Sequence, residues 1–250
     1  MRILITGFGT LGRELVKNKK HEYIVVDKNP EVLSGEMISY DNIIRRHCGN
    51  IADYDYLSGL VAQYWPDTII HTAANKYIDR CEDDVLSSID DNVIAVANLC
   101  KLKTIFGFGL IFISTDKAVN PVSVYGCEKH IGEKAVLKVG GTVVRLVNII
   151  NSTGSVLTIW ERKLKNGENI QVRGVRVGRK MMSVEYAANI IYRAINYPGE
   201  IIIPKHYEDV NIFNLARTLA NDEKIEIMEL SPFEKIEEEL FLPSEDVVQL

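Results

Sequence analysis

Short apolar runs recur along the chain up to about Asn148, and polar or amphipathic stretches separate them. The runs are Ile3 to Thr6, Tyr23 to Asp27, Ile43 to Cys48, Thr68 to Thr72, Leu110 to Ser114 and Thr142 to Leu146. Runs of this length are typical of parallel strands that are buried on both faces. The stretches Tyr54 to Tyr64 and Ile89 to Phe106 have the periodicity of amphipathic helices. The pattern predicts an α/β fold with a doubly wound parallel sheet, the Rossmann arrangement.

The pattern changes after Asn148, where apolar runs give way to glycine-rich and mixed segments. Helices are predicted at Val156 to Lys165, Ser183 to Asn196 and Val210 to Ala220, a strand at Glu200 to Ile203, and the acidic stretch Glu234 to Leu240 is interpreted as the solvated face of a helix. We therefore predict a Rossmann domain at residues 1–148. A smaller region at 149–250, partly interleaved with the sheet, is expected to cap the carboxyl ends of the strands, where ligands of such sheets bind.

A glycine-rich turn follows the first predicted strand and opens a helix. It consists of Gly7, Phe8, Gly9, Thr10, Leu11 and Gly12, and Asp27 closes the second strand twenty residues after Gly7. The glycines permit close approach of a pyrophosphate to the helix N-terminus, and the acid can accept hydrogen bonds from an adenosine ribose. A carboxylate here repels a 2′-phosphate, so NAD is predicted, and the neighbouring Lys28 leaves NADP as the alternative. Further candidate cofactor contacts are Asn50, Ile51, Ala73 and Ala74.

Tyr125 and Lys129 are the central candidates for chemistry. They lie four residues apart and share one face of a helix, so the ammonium is expected to lower the pKa of the phenol and make it a proton-transfer group. A polar string, Ser114, Thr115, Asp116 and Lys117, ends an apolar run shortly before them. Its adjacent acid and lysine form a second candidate pair for proton transfer.

Composition narrows the class of partner. The 250 residues are 46% hydrophobic with a net charge of -5, which fits a globular protein and argues against a nucleic-acid surface. The cysteines Cys48, Cys81, Cys100 and Cys127 lack the spacing of a metal site or a disulfide framework. No apolar run approaches the roughly 20 residues of a membrane span, and the chain enters a strand pattern at once. We expect a cytoplasmic protein with a small-molecule partner, no metal and no membrane.

Two segments carry a family resemblance. Ser114 to Lys134 reads STDKAVNPVSVYGCEKHIGEK, and His71 to Asn92 reads HTAANKYIDRCEDDVLSSIDDN. Both resemble the extended short-chain dehydrogenases/reductases, and within them the polysaccharide-biosynthesis type of UDP-N-acetylglucosamine 4,6-dehydratase. The chain departs from the pattern at Asn75, where leucine is common, at Thr153, where arginine is common, and at Ser231 to Phe233, where Arg-Pro-Gly is common. These departures bear on which sugar is bound more than on the reaction that is catalysed.

The resemblance implies a reaction on a UDP-sugar with NAD as cofactor, in the synthesis of sugars for surface polysaccharides. It assigns Tyr125 to the proton of the C4 hydroxyl, Thr115 to the same oxygen and Lys129 also to the nicotinamide ribose. Asp116 is assigned as the acid toward C6 and Lys117 as the base at C5. It also implies a role for Asn92 in positioning the catalytic lysine at the cofactor, substrate contacts from Lys76, Asn148, Ser155 and Arg179, and a homodimer or higher homo-oligomer.

Two other functions remain open from the sequence. A nucleotide-sugar 4-epimerase or 4-ketoreductase shares Thr115, Tyr125 and Lys129 but has no need for the Asp116 and Lys117 pair. A non-catalytic NAD(P)-binding regulator would keep the nucleotide fold without a proton-transfer tyrosine.

Overall fold

A computed structural model of the chain describes residues 1–34 and 40–250. In these residues the strands are β1 (Arg2–Thr6), β2 (Glu22–Asp27), β3 (Ile43–Cys48), β4 (Thr68–His71), β5 (Gly109–Thr115), β6 (Thr142–Leu146), β7 (Asn148–Ile149), β8 (Ile170–Arg173), β9 (Gly178–Met182), β10 (Ile201–Ile203), β11 (Glu208–Asn211), β12 (Ile225–Met228) and β13 (Val248–Gln249). The predicted strands are therefore confirmed, with ends that move by at most one residue.

The helices flank these strands. They are α1 (Thr10–Leu15), α2 (Pro30–Leu33), α3 (Tyr54–Tyr64), α4 (Ile78–Asp83), α5 (Val85–Ile89), α6 (Ala95–Phe106), α7 (Val124–Lys138), α8 (Val156–Lys165), α9 (Val184–Ala194) and α10 (Ile212–Leu219). A π-helical turn at Asp90–Ile94 joins α5 to α6, and short 3-10 turns lie at Asp116–Ala118 and Asp222–Lys224.

The main sheet has the strand order β13-β10-β6-β5-β4-β1-β2-β3 in the described part of the chain, and all its pairings are parallel. The chain first winds outward from β1 to β3 and then resumes on the other side of β1 with β4. A ligand crevice is expected at this reversal, beyond the carboxyl ends of the strands. The doubly wound parallel sheet predicted from the sequence is confirmed.

The part of the chain after β6 is divided between the main sheet and a smaller structure. β10 and β13 join the edge of the main sheet. The remaining strands form small sheets, β11-β9-β7 and β12-β8. A second apolar cluster holds them to α8 and α10, with Trp160, Ile170, Val172, Val177, Met181, Ile212 and Ala216 at its centre. This cluster packs independently of the main core and forms the far wall of the crevice.

Three sequence expectations differ from the structure. The helix expected at Val210 to Ala220 begins only at Ile212, because Asn211 ends a strand and caps the helix with its side chain. The helix expected at Ile89 to Phe106 contains the π-helical turn and is preceded by α5. The acidic stretch Glu234 to Leu240 has no helix, and Glu238 within it is buried. The interpretation of that stretch as a solvated helix face was wrong.

Arg145 fastens the C-terminal segment to the core. Its guanidinium lies in β6, fully buried, and makes two hydrogen bonds to Glu133 of α7 at 2.7 and 2.8 Å. It makes two more to Glu245, both at 2.7 Å, and one to the carbonyl of Leu240 at 3.3 Å. The planar guanidinium is thus paired with two carboxylates, and these hydrogen bonds compensate the cost of burying its positive charge. The C-terminal segment is thereby held in one place against the sheet.

This anchor makes the stability of the protein pH-dependent. Hydrogen bonds from Arg145 lower the pKa of Glu245 to about 2. A carboxyl pKa that folding lowers contributes stability above the unfolded-state value of about 4.3 and loses it as the pH falls toward 2. Glu245→Gln should therefore reduce the free energy of unfolding by about 1–3 kcal/mol at neutral pH, and the difference from the parent protein should shrink on acidification.

Urea unfolding at a series of pH values measures this difference. The exposed neighbour Asp246 gives the matched control, Asp246→Asn, which should follow the parent curve. Parallel curves for the parent and Glu245→Gln down to strongly acid pH would contradict the assignment.

Candidate active site

A deep cleft of about 1490 Å³ opens where the strand order reverses. The glycine turn, the ends of β2, β4 and β5 and the start of α7 line one side, and β8, β9 and α8 line the other. The predicted cofactor contacts Gly7, Gly9, Thr10, Leu11, Gly12, Asp27, Lys28, Asn50, Ile51, Ala73 and Ala74 all line it. So do Thr115, Lys117, Tyr125, Lys129, Lys76, Asn148, Ser155 and Arg179. The fold thus brings residues that are distant in sequence to one cavity.

The glycine turn has the shape that a dinucleotide requires. Gly7 has a positive φ of 92°, and a Cβ there would lie 2.5 Å from the backbone nitrogen of Ala73. A Cβ on Gly12 would lie 2.3 Å from the carbonyl oxygen of Gly7. A Cβ on Gly9 meets nothing within 4 Å. The first and third glycines allow the turn to pack, and the second leaves the cleft open beside the start of α1, where a pyrophosphate binds.

Asp27 connects the second strand to this turn. Its Oδ2 accepts a hydrogen bond from Phe8 N at 2.7 Å, and its Oδ1 accepts one from Asn29 N at 2.9 Å. The neighbouring Lys28, which left NADP open, forms an ion pair with Asp91 at 2.5 Å. Asp27 therefore presents a fixed carboxylate where β2 meets the cleft, beside a lysine whose ammonium is already paired with Asp91.

The start of α7 is held close to the 116–118 turn. Ser123 caps the helix by accepting a hydrogen bond from Gly126 N at 3.1 Å, and Glu82 accepts one from Val124 N at 2.7 Å. A Cβ on Gly126 would lie 2.5 Å from the carbonyl oxygen of Lys117. Only glycine permits this approach, which places the helix with the tyrosine directly against the turn with the charged pair.

Tyr125 and Lys129 lie on the same face of α7, as their spacing predicted. The Lys129 ammonium donates to the Ile113 carbonyl at 2.8 Å and lies 4.5 Å from the centre of the Phe112 ring. Burial lowers the pKa of Lys129 to about 8, although the carboxylates of Glu133 and Glu128 oppose the shift. This lysine therefore binds the carbonyl end of β5 in the structure.

The expected lowering of the Tyr125 pKa was wrong for this arrangement. Burial raises the pKa of the phenol, and the negative charge of Asp116 raises it further. The side chain is 8% exposed, so little water solvates a phenolate there. Both causes favour the neutral phenol over the phenolate in this site.

Thr115, Asp116 and Lys117 form a compact polar cluster at the end of β5. Asp116 is fully buried, and its Oδ1 accepts hydrogen bonds from the Thr115 hydroxyl at 2.9 Å and from Lys117 Nζ at 3.0 Å. Its other oxygen, Oδ2, is buried without a hydrogen-bond partner among the described residues. A buried carboxylate with one unused oxygen beside an ammonium can take a proton from that ammonium and pass it on.

The four predicted substrate contacts line the cleft and also make structural bonds. Lys76 donates to the Thr153 carbonyl at 2.6 Å, and Asn148 donates to the Lys180 carbonyl at 3.0 Å. Ser155 caps α8. Arg179 donates through one nitrogen to the carbonyls of residues 178, 235 and 236. Lysine has three donors and arginine five, so Lys76 and Arg179 keep donors for a ligand.

Two polar residues are built into the wall behind the cleft. Asn92 was assigned to the cofactor site, but its side chain is buried and its amide binds both N and O of Asn75 at 2.9 Å. It also donates to Glu128 at 2.7 Å. The π-helical turn points the Asn92 side chain inward, so Asn92 shapes the cleft by holding the backbone of Asn75.

His71 is the second of these residues. It lies 2.6 Å from the Thr6 hydroxyl, and burial lowers the pKa of its imidazole to about 3.

Three contributors to the site were missed from the sequence. Glu238 lies 3.9 Å from Lys117 Nζ. Arg173 lines the cleft and pairs with Asp79 at 2.9 Å. Thr153, noted only as a departure from the family pattern, donates through its backbone to the Thr10 hydroxyl across the cleft at 3.0 Å. Each pairing joins residues that lie far apart in sequence, so periodicity gives no signal for it.

The family described as polysaccharide biosynthesis protein matches residues 3–250 of the chain. A UDP-N-acetylglucosamine 4,6-dehydratase (inverting) of Campylobacter jejuni is 30% identical over 266 aligned positions, which cover 98% of this chain and 78% of that protein. An uncharacterized membrane protein of Methanocaldococcus jannaschii is 30% identical over 274 positions, covering 97% of this chain and 81% of that protein. Within residues 1–34 and 40–250, no helix has the length and apolar character to cross a bilayer.

A solved structure shows the same fold. The dTDP-glucose 4,6-dehydratase of Streptomyces venezuelae, determined with NAD bound, matches with a TM-score of 0.86 at 18% identity. The match covers 96% of this chain and 88% of that chain. The resemblance drawn from the two sequence segments is confirmed.

Proposed function

The chain belongs to the family of polysaccharide biosynthesis proteins, within the extended short-chain dehydrogenases/reductases, and we propose that it is an NAD-dependent nucleotide-sugar 4,6-dehydratase. Its substrate is a UDP-sugar of the UDP-N-acetylglucosamine kind. Its product is a 4-keto-6-deoxy sugar nucleotide for the synthesis of surface polysaccharide.

The carrying observation is that two candidate proton-transfer sets meet at one wall of the cleft, where Tyr125, Lys129 and Lys117 line the cavity and the fully buried Asp116 lies behind Lys117. Tyr125 and Lys129 come from α7, and the ion pair of Asp116 with Lys117, at 3.0 Å, comes from the end of β5. The close approach at Gly126 joins the two sets. A 4-ketoreductase or 4-epimerase needs only the first set, whereas loss of water also needs an acid and a base at adjacent carbons. The buried second pair therefore favours the dehydratase.

The residues act in an order that the chemistry of the sugar imposes. Bound NAD would accept the hydride from C4 and return it to C6 after water has left, as C5 regains a proton, and its positive charge would offset the cost of ionising the phenol of Tyr125. Tyr125 takes the proton of the C4 hydroxyl, and Thr115 hydrogen-bonds the same oxygen. The resulting ketone acidifies the hydrogen at C5. Lys117 first passes one proton to Asp116 across their hydrogen bond. The neutral amine of Lys117 then removes the C5 proton, and the protonated Asp116 gives its proton to the C6 hydroxyl, which leaves as water.

The contacts of Asp27 and Lys28, beside the glycine turn, favour NAD over NADP. The carboxylate of Asp27 is fixed by two backbone N–H groups, and a 2′-phosphate beside it would meet like charge. Lys28 would have to leave Asp91 to compensate. These contacts support NAD as the cofactor.

The substrate side of the cleft offers cations for a diphosphate. Arg179 keeps unused N–H groups, and its Nη2 lies 3.9 Å from Glu234 Oε1. Lys76 is exposed at the cleft, and its partial desolvation there lowers the pKa of its ammonium. A diphosphate with bidentate geometry is the natural ligand for a guanidinium in this position. Asn148 and Ser155 complete the proposed substrate contacts.

Mass spectrometry of the reaction products tests the proposal. The purified chain with NAD is incubated with a panel of UDP-, dTDP- and GDP-sugars, and UDP-N-acetylglucosamine is expected to give a product lighter by one water. A C4 epimer of unchanged mass would instead identify an epimerase. If NAD binds and no sugar nucleotide in the panel changes, the enzymatic proposal is wrong.

A further inference from the structure

Glu238 is a buried carboxylate beside the charged pair of the site. Its side chain is 2% exposed, and its Oε1 lies 3.9 Å from the Nζ of Lys117. Lys117 itself is 15% exposed and also lies 3.0 Å from Asp116. One ammonium is therefore placed between two carboxylates, of which one is its neighbour in sequence and the other comes from the C-terminal segment.

We infer that Glu238 is a positioning residue that orients Lys117 for proton removal at C5 of the sugar and stabilises the charge that this step creates. The inference rests on the proposed function.

The protein holds Glu238 in place through anchors on both sides of it. Lys235 Nζ lies 2.6 Å from Glu238 Oε2 and donates to the Val119 carbonyl at 2.7 Å, next to the 116–118 turn. On the other side, Arg145 donates to the Leu240 carbonyl. The segment has no regular secondary structure, so these tertiary contacts fix it. They bring a carboxylate to Lys117 from a part of the chain that the sequence places far away.

The C5 step creates a positive charge on Lys117 that the carboxylate of Glu238 can stabilise. The step starts when Lys117 Nζ passes one proton to Asp116 Oδ1 across their 3.0 Å hydrogen bond, which leaves a neutral amine and a carboxylic acid. The C5–H bond then breaks, the electron pair enters the enolate of the 4-ketone, and the C5 proton goes to the neutral Nζ of Lys117. An amine that accepts a proton gains a positive charge, which a nearby fixed carboxylate stabilises in the transition state more than in the ground state. The C6–O bond then breaks as Asp116 gives up its proton, and water leaves. Glu238 neither donates nor accepts a proton in this sequence.

Glu238 is not among the charged groups that act on Tyr125, the residue proposed for the C4 step. Oxidation at C4 uses the phenol of Tyr125, whose neighbours include the carboxylates of Asp116 and Glu128. Glu238 is paired instead with Lys117 and Lys235. Removal of its charge should therefore separate the two half-reactions. A purely structural residue would impair both equally.

The experiment compares Glu238→Gln with the parent enzyme, loaded with NAD, on UDP-N-acetylglucosamine in deuterated water. C4 oxidation is followed as reduced nicotinamide in a single turnover, and C5 proton removal as deuterium incorporation by mass spectrometry. We expect C4 oxidation within about twofold of the parent and C5 exchange slowed by about tenfold or more. Glu238→Asp, which keeps the charge, should recover part of the C5 exchange.

The adjacent exposed residue provides the matched control. Glu239 binds Asn120 on the surface, and Glu239→Gln should leave both rates unchanged. Equal loss of both steps in Glu238→Gln, no loss of either, or no difference between the Gln and Asp variants would overturn the inference. A parent enzyme that transforms no sugar nucleotide would overturn the proposed function itself, and the role of Glu238 with it. Thermal unfolding of each variant identifies loss of folding.

Discussion

Tyr125→Phe is expected to lower the turnover number by about 10²–10⁴-fold, which is the usual contribution of a positioned acid or base. The substitution removes only the hydroxyl, so the buried ring continues to fill the start of α7. Without the phenol, nothing at this position takes the proton of the C4 hydroxyl. C4 oxidation should be lost, and the later steps with it, because they need the C4 ketone.

Single-turnover measurements with saturating sugar nucleotide test this expectation. NAD affinity, measured by calorimetry, should remain near that of the parent, because the glycine turn and Asp27 are untouched. Tyr54→Phe, at the exposed start of α3, serves as a matched control with full activity. A Tyr125→Phe enzyme that kept more than about a tenth of the parent rate would remove the phenol from the mechanism.

The pH dependence of the same step follows from the environment of the tyrosine. Burial and Asp116 raise the pKa of Tyr125 in the protein, which disfavours the phenolate that the C4 step needs. Asp116 therefore opposes the first half of the proposed reaction while it serves the second. The two halves place conflicting electrostatic demands on one cluster.

Asp116→Asn is expected to abolish loss of water, with a decrease of about 10²–10⁴-fold, while C4 oxidation continues. Asparagine has nearly the same shape and keeps an oxygen to accept from Thr115 and Lys117, but its amide cannot give a proton to the C6 hydroxyl. The 4-ketone should accumulate with its C6 oxygen retained. In addition, removal of the negative charge relieves the rise in the Tyr125 pKa, so C4 oxidation should not slow.

Quantification of the trapped 4-ketone and of the dehydrated product by mass spectrometry distinguishes the functions left open by the sequence. In a 4-epimerase or 4-ketoreductase the same substitution would leave product formation nearly unchanged. The exposed Asp67, which binds Arg2 N away from the cleft, supplies the control Asp67→Asn. Unimpaired formation of a dehydrated product by Asp116→Asn would assign the acid to another residue.

The local features of the site could be predicted because short-range sequence encodes them. A strand buried on both faces must be apolar throughout, which is why β1, β4 and β6 stood out. The turn from Gly7 to Gly12 needs glycine wherever a Cβ would strike backbone. Tyr125 and Lys129 share a helix face by spacing alone. These features depend on neighbours within a few residues.

Other features of the site could not be predicted, because they depend on residues that the fold packs against them. The pKa of Tyr125 moved opposite to the expectation, because spacing to Lys129 does not reveal how much water the fold removes. Asn92 was turned inward by a π-helical turn that its sequence does not mark. Glu238 lies in a stretch rich in acids, yet Lys117 and Lys235 make its burial possible.

The sequence alone therefore determined the doubly wound sheet and the glycine turn and singled out two candidate pairs for proton transfer, since each follows from local periodicity, backbone sterics or residue spacing. Only the tertiary structure decided which carboxylates surround Lys117, which way the tyrosine pKa shifts and how the C-terminal segment closes over the charged pair. Desolvation and ion pairing act across space between residues more than a hundred positions apart, and neither leaves a periodic trace in the chain.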